Sequence, residues 1–217
     1  MINILSYPAS TLVDRPIPKN AFYRNATITP RMKARFVEEL QELRWAYKLA
    51  PQSLNVEKGK DIEEIELFHA TLKQSTIPTE LLQFIDKTLP QFIIFILQYQ
   101  DRYCLLCNYK RFATQDHTRC DIIETFATEW STDLPTLAIQ GRSLSAIYEN
   151  FIRQIAGKAL GDPTQPLGEQ VNKKQQREAL LKEIERIEKA IQHEPQFNRQ
   201  LELNQRLKEL RKQFEQL

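Results

Sequence analysis

Near the end of the chain, two runs repeat apolar residues in a four-three-four rhythm. The first is Leu180, Ile184, Ile187 and Ile191; the second is Leu203, Leu207, Leu210 and Phe214, with Leu217 three residues on. An α-helix puts residues three and four apart on one face, so each run predicts a helix with a single apolar seam. Pro195 stands between them and cannot continue the first helix without losing a hydrogen bond and clashing with the preceding turn. Two helices with a turn at 193–196, folded back as an antiparallel coiled-coil hairpin, are the simplest outcome. A two-helix hairpin cannot bury all of both helices. Its exposed remainder points to a partner protein or, as a structural brace, to the chain's own core domain, and it allows self-association.

The segment before the hairpin holds three glycines and two prolines between residues 157 and 170, and beyond it the composition turns to Glu, Lys, Gln, Arg and Leu. This predicts a core domain over 1–158, a linker over 159–170 and the hairpin over 171–217. Within the core, Pro8, Pro16 and Pro18 leave residues 1–20 turn-rich. Thr29-Pro30 opens a helix through Met32, Phe36, Leu40 and Leu43, because Thr caps well and Pro suits the first helical position. Period-two alternation then predicts a strand with Trp45, Tyr47 and Leu49 on one face, and a second strand over 62–72. A helix from Pro78 precedes strands over 92–97, 103–109 and 122–130, the first two joined as a hairpin. Ser143 caps a last helix with a broad apolar stripe. The expectation is an α+β fold with an approximately five-stranded, largely antiparallel or mixed sheet and packed helices.

Composition removes several classes. Five glycines argue against a Gly-rich phosphate cradle. No apolar run reaches the ~20 residues that span a bilayer, and the first residues do not read as a secretory leader, so no membrane is expected. Three cysteines, Cys104, Cys107 and Cys120, fit a reduced, cytoplasmic setting. The net charge of +2 gives no overall electrostatic grip on nucleic acid.

Few motifs carry chemistry. Cys104-Leu-Leu-Cys107 has the spacing of a redox or metal pair, but on a strand residues three apart face opposite ways, and core cysteines are the plainer account. Asp61, Glu64 and Glu66, with Glu63, supply acids of the kind a metal-dependent nuclease uses, but no strand carries the Glu-x-Lys such enzymes pair with them. Solvated strand charges are the plainer account of the acids. An arrangement that gathers them with a lysine in a cleft would favour an enzyme. His69, His117 and His193 are scattered, and no serine or cysteine sits in a nucleophile-elbow setting. No metal site or cofactor is called for. The one local charge bias is the acid-free stretch of Arg15, Lys19, Arg24, Arg31, Lys33 and Arg35, interleaved with Phe22 and Tyr23. It fits either a solvated basic face beside a core aromatic, its charges paired with acids elsewhere, or weak contact with nucleic acid or an acidic partner, with Arg15, Lys19 and Arg24 converging on the N-terminal end of the helix near Pro30.

Ile17-Pro-Lys-Asn-Ala-Phe-Tyr23, Trp45-Ala-Tyr-Lys-Leu-Ala50, Glu64-Ile-Glu-Leu-Phe68, Ile85-Asp-Lys-Thr-Leu-Pro90 and Glu194-Pro-Gln-Phe-Asn-Arg-Gln-Leu-Glu-Leu-Asn204 occur in this order. Together they resemble a bacterial family described as domain of unknown function 4391, over nearly the whole chain. The resemblance brings no catalytic residues. It implies a setting beside helicase and DNA-methyltransferase genes in restriction-like defence islands. The expected function is therefore a non-catalytic accessory subunit of a DNA-acting, anti-phage assembly, docked through the hairpin on a helicase or methyltransferase. The alternatives are a degenerate metal-dependent nuclease and a toxin-like or inhibitor module with a protein target.

Overall fold

The computed structural model describes residues 7–25, 28–112 and 120–217; His117 lies outside them. The chain divides into two compact units, the first ending at Gly157 and the second running from Lys158 to Leu217.

The larger unit is built on a six-stranded mixed sheet whose strands lie side by side in chain order: β1 (Leu12–Pro16), β2 (Leu40–Leu49), β3 (Ile65–Leu72), β4 (Phe92–Tyr99), β5 (Arg102–Phe112) and β6 (Cys120–Ala127). All neighbours are antiparallel except β3 and β4. That parallel pair needs a crossover, and the nine-residue helix Thr79–Lys87 supplies it.

The sheet has one more strand than expected, and the addition is β1. Its prolines do not prevent pairing, because β1 is an edge strand and Pro16 is its last residue. Asp14, at φ 49°, marks the irregularity between Leu12 and Arg15.

The helices of the larger unit are α1 (Asn20–Asn25), α2 (Pro30–Glu38), α3 (Pro51–Leu54), α4 (Thr79–Lys87) and α5 (Leu144–Ala156). Thr29 and Ser143 cap α2 and α5, each hydroxyl accepting a backbone N–H three residues on. Helix α2 stops at Glu38, five residues short of the expected Leu43, and β2 starts at Leu40. Leu40 and Leu43 share a face for a different reason than helical spacing. Leu40 opposes Leu72 and Glu42 opposes Thr71, so a bulge at Gln41 inserts one extra residue and leaves two leucines three apart on the same side.

The same device recurs at Ala46, between the pairs Trp45–Phe68 and Tyr47–Leu67. Trp45 therefore lies on the Phe68 face and Tyr47 on the Leu67 face, correcting the expected shared face of Trp45, Tyr47 and Leu49. Phe36 of α2 and Leu81, Leu82 and Ile85 of α4 cover the face that carries Phe68, Ala70 and Leu72. Burying such side chains contributes about 1.5–3 kcal/mol each.

The second unit contains α6 (Leu167–His193) and α7 (Phe197–Glu215) packed as a hairpin. Its seam consists of the predicted residues: Ile184, Ile187, Leu207 and Leu210 are buried, with Leu180, Ile191, Leu203 and Phe214 packed against them. The Arg177 guanidinium lies 4.4 Å from the centre of the Phe214 ring. Helix α6 begins at Leu167, directly after Pro166, so the final residues of the expected 159–170 linker are helical. Among the described residues, no helix is long and apolar enough to cross a membrane.

Candidate functional site

The bulge at Ala46 has a chemical consequence. It turns Trp45 and Lys48 to the same face of β2, and Lys48 pairs in register with Glu66 on β3. The Trp45 Nε1–H donates to Glu66 Oε2, and also to the Tyr47 carbonyl at 3.2 Å. Lys48 Nζ forms an ion pair with Glu64, which lies immediately before β3. Glu66 is only 4% exposed. Burial, with the neighbouring Glu64 charge, pushes its carboxyl up to about 8, against the opposing pull of Trp45 and Lys48. A carboxyl held this far above its ordinary range stays largely protonated at neutral pH and can donate as well as accept.

This group lines a cavity of about 250 Å³ whose walls are Ile17, Phe22, Trp45, Phe68 and Leu89. A second, more polar cavity of about 630 Å³ is lined by Lys58, Lys60, Asp61 and Glu63. The two share Glu64 and Gln91. The loop bearing the lysines sits close on the start of α5: Lys60 N donates to Ser145 Oγ at 3.1 Å, and a Cβ at Gly59 would meet that oxygen at 2.4 Å.

Of the three candidate acids, Glu64 and Glu66 are brought together, whereas Asp61 lines only the outer cavity. Among the described residues no group of three or more His, Cys, Asp or Glu is placed to hold a metal ion. The lysine that joins the acids is Lys48, from the preceding strand. No Glu-x-Lys spacing on the following strand marks it.

A second charged cluster is fully buried and lines neither cavity. Lys110 Nζ donates to Asp86 Oδ1 at 2.7 Å and to the carbonyls of Asp86, Leu89 and Gln91. Asn108 Nδ2 donates to the other Asp86 oxygen at 2.9 Å, and Thr125 Oγ1 to Asn108 Oδ1 at 2.8 Å. Burial pushes the Asp86 carboxyl up, opposed by Lys110 and Asn108. Every polar atom of the cluster has a partner, so its role is to lock α4 onto β5 and β6.

The remaining candidates disperse. Cys104 and Cys107 are buried and unbridged, both thiols raised by burial, which leaves them poor nucleophiles. His69 is on the opposite face of β3 from Glu66, its Nε2 buried without a partner among the described residues. His193 ends α6.

The basic stretch also separates. Lys19 Nζ donates to the carbonyls of Phe36 and Leu40, at the C-terminal end of α2, so it does not converge with Arg15 and Arg24 on the N-terminal end. A lysine here offsets the negative end of the helix dipole. Arg31 and Arg35 both pair with Glu80, Arg35 also with Glu39, and Lys33 lies 5.7 Å from the Tyr23 ring centre. Phe22 is buried and stacked on Phe36, which removes it as a base-stacking platform. Arg15 and Arg24 are exposed, with no partner among the described residues.

Binding of short DNA or RNA is therefore expected to be weak, with a log K versus log salt slope of about −2, the value for two phosphate contacts. Fluorescence anisotropy over a salt series checks this. Arg15→Glu/Arg24→Glu is expected to remove the binding, and equal binding by that variant would exclude the stretch as the contact.

No curated protein and no solved structure matches the chain. The family model described as Domain of unknown function (DUF4391) matches residues 5–214, nearly the whole chain, and the protein belongs to that family.

Proposed function

We propose that the protein is an accessory subunit of a DNA-acting, restriction-like defence assembly, docking on a larger partner through its C-terminal hairpin. The observation that carries the docking is the division of labour within α6 and α7. Their seam is closed by their own eight apolar residues, while Phe197 and Leu201 remain 76% and 52% exposed. These two are four apart at the start of α7, beside the turn, and so form one apolar patch at the tip. An exposed phenylalanine beside a leucine on a rigid helix is the form of anchor that fills a pocket in a partner. The DNA-acting setting, and a helicase or methyltransferase as the partner, follow from the family resemblance.

The test is co-purification of the full chain with a helicase or DNA methyltransferase of the kind the resemblance implies. Phe197→Asp/Leu201→Asp is expected to weaken the complex at least tenfold, roughly 1.4 kcal/mol or more, with circular dichroism unchanged. Undiminished binding by a folded variant would remove the tip as the docking element.

A second reading, of a different class, is favoured by the grouping of Glu64 and Glu66 with Lys48 at a cleft. A cavity-lining carboxyl of shifted acidity, Glu66, next to a second carboxyl that is paired with a lysine is what an active or ligand site requires. As a nuclease site it would be degenerate, since Asp61 stands apart from the pair.

A further inference from the structure

Carboxyls dominate the polar wall of the inner cavity. The groups that can reach a ligand there are the carboxyls of Glu64 and Glu66 and the Gln91 amide; the rest of the wall is Ile17, Ala21, Phe22, Trp45, Phe68, Thr88 and Leu89. The Trp45 N–H is already committed to Glu66 and the Tyr47 carbonyl, and the Lys48 ammonium to Glu64. Once Glu66 is ionised, the two carboxylates favour a molecule that brings N–H donors on an apolar body.

We propose that the inner cavity binds a small organic cation, an ammonium or amidinium group on an apolar body, with Glu66 and Glu64 as its anionic partners. At about 250 Å³ the cavity suits a ligand of one ring or a short branched chain. The indole and phenyl walls favour a cation electrostatically, since their ring faces are negative. The larger, more polar cavity shares Glu64 and Gln91 with it. This site is independent of the hairpin tip, so the two proposals fail separately.

The cation takes the place of the proton on Glu66. The charged groups facing that carboxyl are Lys48 from β2 and Glu64 ahead of β3; α1 and the end of α4 present no titratable group to the cavity. Glu66 must ionise to accept the ligand, so binding releases a proton and strengthens as pH rises through about 8.

The test is calorimetry of the full chain with benzamidine and phenethylamine, at pH 6 and pH 9 and in buffers of different ionisation enthalpy. Benzamide, the neutral isostere, is the comparison. Affinity for the cations is expected to rise roughly tenfold or more between the two pH values, with proton release, and benzamide is expected not to bind. In Glu66→Gln the affinity should fall at least tenfold and the pH dependence should disappear. The wild-type comparison of benzamidine with benzamide needs no variant and holds if Glu66→Gln misfolds. Equal binding of benzamide, affinity independent of pH, or no binding of either cation at millimolar concentration would each overturn the proposal.

Discussion

Replacing Lys110 with methionine is expected to destabilise the larger unit by about 3–5 kcal/mol, the cost of removing one partner from a buried ion pair. Its three N–H groups are shared among one Asp86 oxygen and three backbone carbonyls, with both side chains at 0% exposure. The rings of Phe92 and Phe112 lie 5.6 and 5.2 Å away, so no water replaces the lost donor without repacking them. A typical domain has only about 5–15 kcal/mol in total, so the loss is a large fraction. Urea unfolding measures it. Adding Asp86→Asn is expected to recover part of the loss, because a neutral amide is less costly to leave in the site than a carboxyl. A shift below about 1 kcal/mol for Lys110→Met would show that the cluster is not the lock described here.

Ile187→Asp is expected to melt the hairpin and leave the larger unit folded. Ile187 is 8% exposed in the seam, and an aspartate there places an unpaired charge between two helices, costing about 3 kcal/mol or more. The hairpin depends on that seam, since most helical stability in proteins comes from tertiary packing of an apolar face. Both tryptophans, Trp45 and Trp130, belong to the larger unit, which gives a clean readout. Far-UV helical signal should fall, while tryptophan fluorescence and its unfolding transition stay unchanged. Leu181→Asp, at a position 42% exposed, should change little. Loss of the tryptophan transition together with the helices would mean that the two units do not fold separately.

Local signals were readable wherever the physics is local. Thr29 and Ser143 announce their helices because a cap is a contact between residues three apart. The run over 92–97 is a central strand buried throughout, and continuous apolarity is what burial on both faces demands. Leu12–Pro16 was hidden by the opposite circumstance. An edge strand with one buried neighbour needs little apolar pattern, and its proline reads as a breaker until its position in the sheet is known. The candidate site was half legible. Glu64 and Glu66 attract attention as acids on one strand, but the partners that give them chemistry, Lys48 and Trp45, are some twenty residues earlier and carry no motif.

The hairpin is the part of this protein that the sequence determined by itself. Helical geometry converts spacing directly into facing, so Leu180, Ile184, Ile187 and Ile191 meet Leu203, Leu207, Leu210 and Phe214 with Pro195 between the two runs. The site on β2 and β3 was decided only by the tertiary structure. Which way a strand residue faces depends on pairing with a distant partner, and one extra residue reverses the facing of everything beyond it. The bulges at Gln41 and Ala46 do this twice, carrying Leu40, Leu43, Trp45 and Lys48 to one side of a strand whose spacing forbids it in regular register. Without the second bulge Lys48 would face away from Trp45, and Glu66 would lack one of the two neighbours that oppose its burial.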